Sequence, residues 1–312
     1  MNSAANKGRS GERRHPDKGG ESTRNSEKKT ERRRSSRISG NLAAKLAEHL
    51  TDRDRQIALD CYEHHVLTTD QISRLHFAGE RTARARLQRL YELRVLDRFR
   101  PRPGLGEGSR PHHWVLDEAG VLIVADCEGI DRSELRYTHE DGMRIAMSRN
   151  LDHHVEANEF FTRLAVEANA AGGELREWYG VRTLAHMLSG AIVPDGYGVL
   201  AMPDSKPLHT LLELDRSTEP GGVLREKAKR YAEILPHSSL AELDPFVILA
   251  TPSARRAQTV SSAVSSTNAP LSVTVWSRET RRSVLATVTH SAFDASARSR
   301  GAGADAVLSG RS

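Results

Sequence analysis

Three helical patterns followed by an interrupted alternating pattern occupy residues 51–117, and this order restricts the fold more than any other feature of the chain. The first pattern, TDRDRQIALDCYEHH, has Thr51 as its predicted N-cap. The second begins at Thr68, where Gln71 three positions later completes the signature of a capping box. The third is ERTARARLQRLYELRVL, and its apolar positions have helical spacing: Ala83, Leu87, Leu90 and Tyr91.

The alternating pattern predicts a β-hairpin. VLDRFR alternates, PRPGLGEGSRP interrupts it with Pro and Gly, and HHWVL resumes it. Three short helices followed by a hairpin are typical of a winged helix-turn-helix, which we predict for residues 41–127. Nine Arg against four Asp or Glu between Gly79 and His113 favour DNA as the partner of this domain. A winged helix that contacts only other proteins is the alternative.

The predicted DNA-binding residues form one group on the third helix and another on the hairpin. The helix group falls on one side of a helical wheel, away from the centre of the apolar stripe, as the DNA-facing side of a recognition helix does. The hairpin group consists of arginines, which we expect to contact phosphates rather than bases. The helix group is Arg81, Arg84 and Gln88, and the hairpin group is Arg98, Arg100 and Arg102.

The second half of the chain mixes helices with strands. LDHHVEANEFFTRLAVEANAAGG predicts a helix that ends at Gly172 and Gly173, and VLREKAKRYAEIL predicts another helix. LHTLLELD and PFVILATPS predict strands. The predicted order is α-β-β-β-α-β-α-β, so we expect an α/β (α+β) domain with a central mixed sheet over residues 150–290. The apolar residues of 128–149 follow neither the helical nor the strand period, so this segment is interpreted as a linker.

The two ends of the chain are predicted to lack a fold. Residues 1–40 hold twelve Lys or Arg against five Asp or Glu and almost no aliphatic residues, which predicts a disordered basic tail. This tail is either a non-specific arm for nucleic acid or a solubilising segment. Residues 291–312 are rich in Ser, Ala and Gly and are predicted to be a flexible C-terminal tail.

Composition argues against several other classes of protein. No apolar run approaches the roughly 18 residues of a membrane-spanning helix, and the polar N-terminus is unlike a secretory signal. Cys61 and Cys127 are the only cysteines, so we expect neither a disulfide framework nor a cysteine-based zinc site. We therefore predict a cytoplasmic protein with no membrane partner. The sequence leaves the oligomeric state open.

Two predicted strands carry three carboxylates toward one region. Asp195 lies in PDG at the start of one strand, and Glu213 and Asp215 alternate with leucines in the next. Acidic groups that converge from neighbouring strands are suitable ligands for Mg²⁺ or Mn²⁺, and such an ion can polarise a phosphodiester and activate water. Asp195 and Glu213 are therefore candidate metal ligands. A solvent-facing strand is the alternative.

The flanking helices supply further candidates. His154 and Asn158 fall on the apolar side of the first helix and are either part of the site or satisfied core residues. Glu156 falls on the polar side and is expected to face solvent. Lys227 lies beside the apolar stripe of the second helix, where it either neutralises a phosphate or the acids, or extends along the surface to solvent. Glu219 is either a ligand or a loop residue. With the three carboxylates, His154, Asn158 and Lys227 complete the candidate catalytic set.

Several motifs occur in an order that resembles the replication-relaxation family. They extend over roughly residues 50–255 and are LTTDQI, LYELRVLDRFRP, HHVEANEFF, PDGYG, LELDRSTEP and LREKAKRYAEIL. Members of that family are encoded on plasmids and integrative elements of high-GC Gram-positive bacteria. The resemblance implies a DNA-binding protein of plasmid or mobile-element replication or DNA relaxation. Its implied partners are double-stranded DNA and other replication or transfer proteins.

The second domain also resembles the PD-(D/E)XK nuclease fold, whose core has the order α-β-β-β-α-β. This resemblance implies that Asp195 and Glu213 are metal ligands. The lysine expected two positions after Glu213 is Asp215 here, and Lys227 from the following helix could take its place. Two functions stay open: a metal-dependent DNA endonuclease or nickase, and a non-enzymatic winged-helix regulator whose second domain only binds a partner.

Overall fold

The computed structural model describes residues 50–102, 108, 110–280 and 282–295. The predicted basic tail, the chain from residue 296 onward and most of the hairpin tip lie outside the described residues. Residues 291–295, predicted to begin the flexible C-terminal tail, are instead helical. Within the described ranges, no helix combines the length and the apolar character needed to cross a membrane.

The first part of the fold consists of helices around a small sheet. Its helices are α1 (Asp52–Glu63), α2 (Thr69–His76), α3 (Glu80–Glu92) and α4 (Glu118–Glu128). Its strands are β1 (Leu67–Thr68), β2 (Leu96–Phe99) and β3 (His113–Leu116), which pair antiparallel in the order β1-β3-β2. Three helices therefore precede the β2–β3 hairpin, as the sequence predicts.

Capping residues determine where α1 and α2 begin. The hydroxyls of Thr51 and Thr68 each accept a hydrogen bond from the third backbone NH of their helix, and both capping boxes are complete. The carboxylate of Asp54, which closes the first box, also accepts a hydrogen bond of 2.7 Å from Nε of Arg86 in α3. Asp54 is fully buried, so this ion pair links α1 to α3 inside the core. Both predicted N-caps are confirmed.

The second part begins with α5 (His139–Arg144), which lies in the segment interpreted as a linker, and a 3-10 turn, Ile145–Met147. Its further helices are α6 (Leu151–Ala170), α7 (Val181–Met187), α8 (Gly221–Ile234), α9 (Ala254–Val264) and α10, which covers residues 284–295. Its strands are β4 (Glu174–Tyr179), β5 (Gly196–Ala201), β6 (Leu208–Leu214), β7 (Phe246–Thr251) and β8 (Leu271–Val275). Short 3-10 turns, Leu235–His237 and Ala241–Leu243, follow α8.

The five strands form one mixed sheet in the order β4-β5-β6-β7-β8. The pairs β4–β5 and β5–β6 are antiparallel, whereas β6–β7 and β7–β8 are parallel. Successive residues of β6 face opposite sides: Leu211 packs with α7, α8 and α9, and Leu212 packs with α6 and α10. The prediction of a mixed α+β fold with a central mixed sheet is confirmed.

Helix α6 lies unusually close to β5 because two glycines in that strand leave room for it. A Cβ atom added to Gly196 would lie 2.4 Å from the Phe161 ring, and one added to Gly198 would lie 2.8 Å from it. Either contact is too short for a real Cβ atom, so larger residues would push α6 away from the sheet. The Phe161 ring in the middle of α6 therefore packs directly on β5.

The described residues belong to one compact unit, and polar contacts join its two parts. Nε2 of Gln71 in α2 donates a hydrogen bond of 2.9 Å to the backbone oxygen of Val155 in α6. The His64 ring stacks on Trp178 at a centroid distance of 3.5 Å. The predicted division into separate domains at residues 128–149 stays a prediction.

Candidate functional site

Asp195 and Glu213 lie side by side at one end of the sheet. Gly196 pairs with Leu212 in the antiparallel β5–β6 ladder. Asp195, which precedes Gly196, and Glu213, which follows Leu212, are therefore the next neighbours across the two strands. The backbone NH of Asp195 donates to the Leu212 carbonyl at 2.9 Å, and the backbone NH of Leu214 donates to Asp195 Oδ2 at 2.8 Å. These two hydrogen bonds hold the Asp195 carboxylate over the end of β6.

His153, which the sequence patterns do not single out, is a further partner of Asp195. Its Nε2 lies 2.7 Å from Asp195 Oδ1. Burial disfavours the charged imidazolium, but the hydrogen bond with Asp195 and the charges of Asp195 and Glu213 outweigh it and raise the pKa of His153. The helical wheel favoured His154 because that residue falls on the apolar side. His153 lies in the first turn of α6, where a side chain can reach past the end of the sheet.

Glu213 is buried, with 3 % of its surface exposed, and its two carboxylate oxygens have separate partners. The Tyr231 hydroxyl donates to Oε1, and the Lys227 ammonium lies 2.5 Å from Oε2. Burial and the charge of Asp195 raise the pKa of Glu213 to about 7, although Lys227 and Tyr231 act in the opposite direction. Burial lowers the pKa of Lys227, but Glu213 outweighs this effect and raises it. Lys227 therefore faces the acids, which is one of the two interpretations that the sequence allowed.

Asp215 has a different partner from Glu213. Arg256 of α9 binds its carboxylate with two nitrogens, Nε on Oδ2 and Nη2 on Oδ1 at 2.9 Å. The backbone NH of Ser217 donates to Oδ1 at 3.0 Å, and Arg256 also donates to the backbone oxygen of Glu219. Asp215 thus fastens the end of β6 to α9. Glu219 takes part in this contact through its backbone.

His154 and Asn158 connect α6 to the first part of the fold. Nδ2 of Asn158 donates to the backbone oxygens of His64 at 3.2 Å and Val66 at 2.7 Å. The His154 ring lies 5.2 Å from the His65 ring, and burial lowers the pKa of His154. The sequence allows two interpretations of His154 and Asn158, as site residues or as core residues with satisfied hydrogen bonds. The contacts of both residues agree with the second interpretation.

Glu156 is less exposed than the helical wheel predicts. Its side chain is 16 % exposed and lies 3.9 Å from Arg216 Nε. Burial and the charge of Glu279 raise its pKa. The residue lines a polar cleft of about 370 Å³ at the carboxyl ends of β6, β7 and β8.

The acids beside the start of β5 and the end of β6 are already paired within the protein. Among the residues that the structure describes, no group of three or more His, Cys, Asp and Glu side chains has the arrangement of a metal site. Mg²⁺, however, is commonly held by one or two carboxylates together with waters and substrate phosphates. Asp195 and Glu213 are two neighbouring carboxylates, but His153 and Lys227 each occupy one of their oxygens, so an ion at this position would compete with these two cations.

Four of the six predicted DNA-binding residues line one pocket between α3 and the hairpin. We call this pocket of about 370 Å³ the basic groove; it is lined by Thr69, Asp70, Arg84, Gln88, Arg98, Arg100, Pro111, His112 and Trp114. Arg84 forms an ion pair with Glu80, and Gln88 donates a hydrogen bond of 3.2 Å to Glu92, both within α3. Arg81 and Arg102 are exposed and lie outside the described lining of this groove.

Comparison with known proteins identifies a family. The family model described as Replication-relaxation matches residues 60–242, which is more than half of the chain. The matched range contains every residue predicted to bind DNA and every candidate catalytic residue. No curated protein and no solved structure matches the chain.

Proposed function

The chain belongs to the replication-relaxation family, and from this premise we propose that it binds double-stranded DNA in the replication or relaxation of a plasmid or mobile element. The site of action would be the cytoplasm, where such DNA is copied. Further partners would be other replication or transfer proteins that act on the same DNA.

The convergence of α3 and the hairpin on the basic groove is the observation that carries this proposal. Recognition helices place one face in the major groove, and a neighbouring hairpin contacts the backbone. Arg84 and Gln88 supply polar side chains from α3, and Arg98 and Arg100 supply cations from the hairpin. Asp70 is the only carboxylate in the described lining, so the groove has a positive balance suited to phosphates.

Direct binding measurements test the proposal. Fluorescence anisotropy with a labelled duplex should show an affinity that falls as salt increases, because bound cations release counterions from DNA. Arg84→Glu should weaken binding by about tenfold or more, since it replaces a cation in the groove with an acid. Arg176→Glu is the matched control, because Arg176 is an exposed, ion-paired arginine of β4. A wild-type protein that fails to bind duplex DNA at low salt would contradict the proposal.

Metal-dependent cleavage of DNA is a second candidate function, and the position of Lys227 favours it. Asp215 occupies the position at which the nuclease motif has a lysine. A different lysine, Lys227 of helix α8, places its ammonium group 2.5 Å from Glu213 Oε2. Asp195 and Glu213 would hold the divalent ion, which would polarise the phosphodiester when bound. Lys227 and Tyr231 both oppose the rise in the pKa of Glu213, so they favour the charged carboxylate that an ion would need, and Tyr231 also orients it.

A nicking assay on supercoiled DNA separates this candidate from a non-enzymatic regulator. Nicked circles that form with Mg²⁺ or Mn²⁺ and are lost in both Asp195→Asn and Glu213→Gln would support cleavage. These isosteric variants keep the size of each side chain, so loss of nicking does not reflect a cavity. Duplex binding with no nicking, unchanged by either variant, would support the regulator.

A further inference from the structure

Arg98 lies between two aromatic rings. Its guanidinium carbon lies 4.5 Å from the centre of the Tyr91 ring and 5.5 Å from that of Trp114. No carboxylate among the described residues forms an ion pair with it. The Trp114 ring is itself fixed, because it is buried and its Nε1 donates a hydrogen bond of 2.9 Å to Thr69. Two aromatic rings therefore hold a cation in the basic groove without neutralising it.

Arg100 lies two residues further along the same side of the hairpin and is oriented by a histidine. Its Nη2 lies 2.9 Å from Nε2 of His112. Because a guanidinium can only donate, Nε2 of His112 is the acceptor and the imidazole is neutral. Burial and the nearby charges of Arg98 and Arg100 lower the pKa of His112 to about 4, which agrees with this assignment. The imidazole therefore directs Arg100 without adding charge.

We infer that the basic groove contains a subsite for a single DNA backbone phosphate, in which Arg98 and Arg100 bind the phosphate and His112 is a positioning residue for Arg100. This inference rests on the proposed DNA binding and assigns roles within it. Guanidinium groups bind phosphate oxygens with paired hydrogen bonds, and their orientation matters more than for an ammonium group. Arg84 and Gln88, which have partners within α3, are not part of this phosphate subsite and contact the duplex elsewhere.

The salt dependence of non-specific DNA binding tests the subsite, since such binding depends on backbone phosphates and requires no known target sequence. Each neutralised phosphate contributes about 0.9 to the slope of log affinity against log salt concentration. If Arg98 and Arg100 share one phosphate, Arg98→Gln/Arg100→Gln reduces this slope by about 0.9. Separate phosphates would give a reduction of about 1.8. Arg176→Gln, which removes an exposed charge on β4, should leave the slope unchanged.

The possible outcomes distinguish this inference from the proposed function. A wild-type protein that does not bind DNA overturns the proposed function and the inference together. Salt-dependent binding by the wild type, with a double-variant slope equal to the wild-type slope or reduced by about 1.8, overturns only the shared subsite. A reduction by about 0.9 supports it. Thermal unfolding of the double variant should begin well above the assay temperature although Arg98 loses its ring contacts, so that the comparison concerns folded protein.

Substitution of His112 tests its positioning role. His112→Gln keeps a side-chain acceptor for Arg100, whereas His112→Leu does not. We expect the Leu variant to bind DNA several-fold more weakly and the Gln variant to retain most of the affinity. Equal losses in both variants, or no loss in either, would overturn the positioning role.

Discussion

Nε2 of His153 lies 2.7 Å from Oδ1 of Asp195, so one ion pair joins the first turn of α6 to the residue that precedes β5. The neighbouring His154 points to the first part of the fold, where its ring lies 5.2 Å from the His65 ring. Adjacent histidines on one helix therefore have opposite environments. The Asp195 carboxylate raises the pKa of His153 despite its burial, whereas burial lowers the pKa of His154.

The two histidines should affect the pH dependence of stability in opposite directions. A histidine with a raised pKa in the folded state stabilises fully below its unfolded pKa of about 6.5, and this contribution is lost as pH rises through the folded pKa. His153→Gln should therefore lower the free energy of unfolding by about 1 kcal/mol at about pH 5.5 and by less at about pH 8.5. Urea unfolding at both pH values measures the difference.

His154→Gln is the matched comparison for that experiment. The lowered pKa of His154 means that folding loses stability as pH falls below about 6.5, because the unfolded chain binds the proton more readily. Removing this histidine should make the variant relatively more stable at acidic pH. The assignment of His153 as the charged partner of Asp195 is wrong if both variants show the same trend.

Glu213 should make the folded state less stable as pH rises toward neutrality. Its pKa of about 7 exceeds the ordinary value of 4.5, so the folded protein holds an extra proton between these values. Glu213→Gln remains neutral at every pH and can still accept the hydrogen bond from Tyr231. We expect the variant to gain stability relative to the wild type as pH increases from about 4.5 to about 7. Glu242→Gln, at an exposed glutamate, should show no such trend in the same unfolding measurements.

The Lys227 ammonium should stabilise the fold mainly through Glu213. Lys227→Met leaves a buried carboxylate without its cation, and we expect a loss of about 1–3 kcal/mol at neutral pH. The estimate lies below that for a fully buried pair because the Lys227 side chain is 35 % exposed. Lys227→Met combined with Glu213→Gln should recover most of the loss in a double-mutant cycle. Additive losses would show that Lys227 stabilises the protein by other contacts.

Local patterns in the sequence were sufficient for most elements of the fold and for the acid pair, although they predicted neither α5 nor the helical residues 291–295. The caps at Thr51 and Thr68 depend on residues three positions apart, so they can be read without knowledge of the tertiary structure. The adjacency of Asp195 and Glu213 follows from one hairpin between neighbouring strands. The geometry of such short-range features follows from the spacing of their residues along the chain.

The partners of these residues could not be predicted because they depend on packing between distant elements. Whether His153 or His154 reaches Asp195 depends on how α6 is rotated about its axis when it packs on β5, where the Phe161 ring contacts Gly196. The position of Arg256 beside Asp215 likewise depends on the packing of α9, forty-one residues away along the chain. A helical wheel describes one helix alone, so it shows neither the packing of α6 on β5 nor that of α9 beside Asp215.

The ion pair between Asp215 and Arg256 predicts the result of placing a lysine at position 215. Asp215→Lys would place an ammonium group against Arg256 at a position that is 6 % exposed. Because a buried charged pair is replaced by like charges, we expect a loss of about 3–5 kcal/mol in the free energy of unfolding. Asp215→Asn should lose less, since it removes the attraction without adding repulsion. Asp215→Lys/Arg256→Glu should recover part of the stability by reversing both charges. An Asp215→Lys variant as stable as the wild type would contradict the assignment of Asp215 as the residue that fastens β6 to α9.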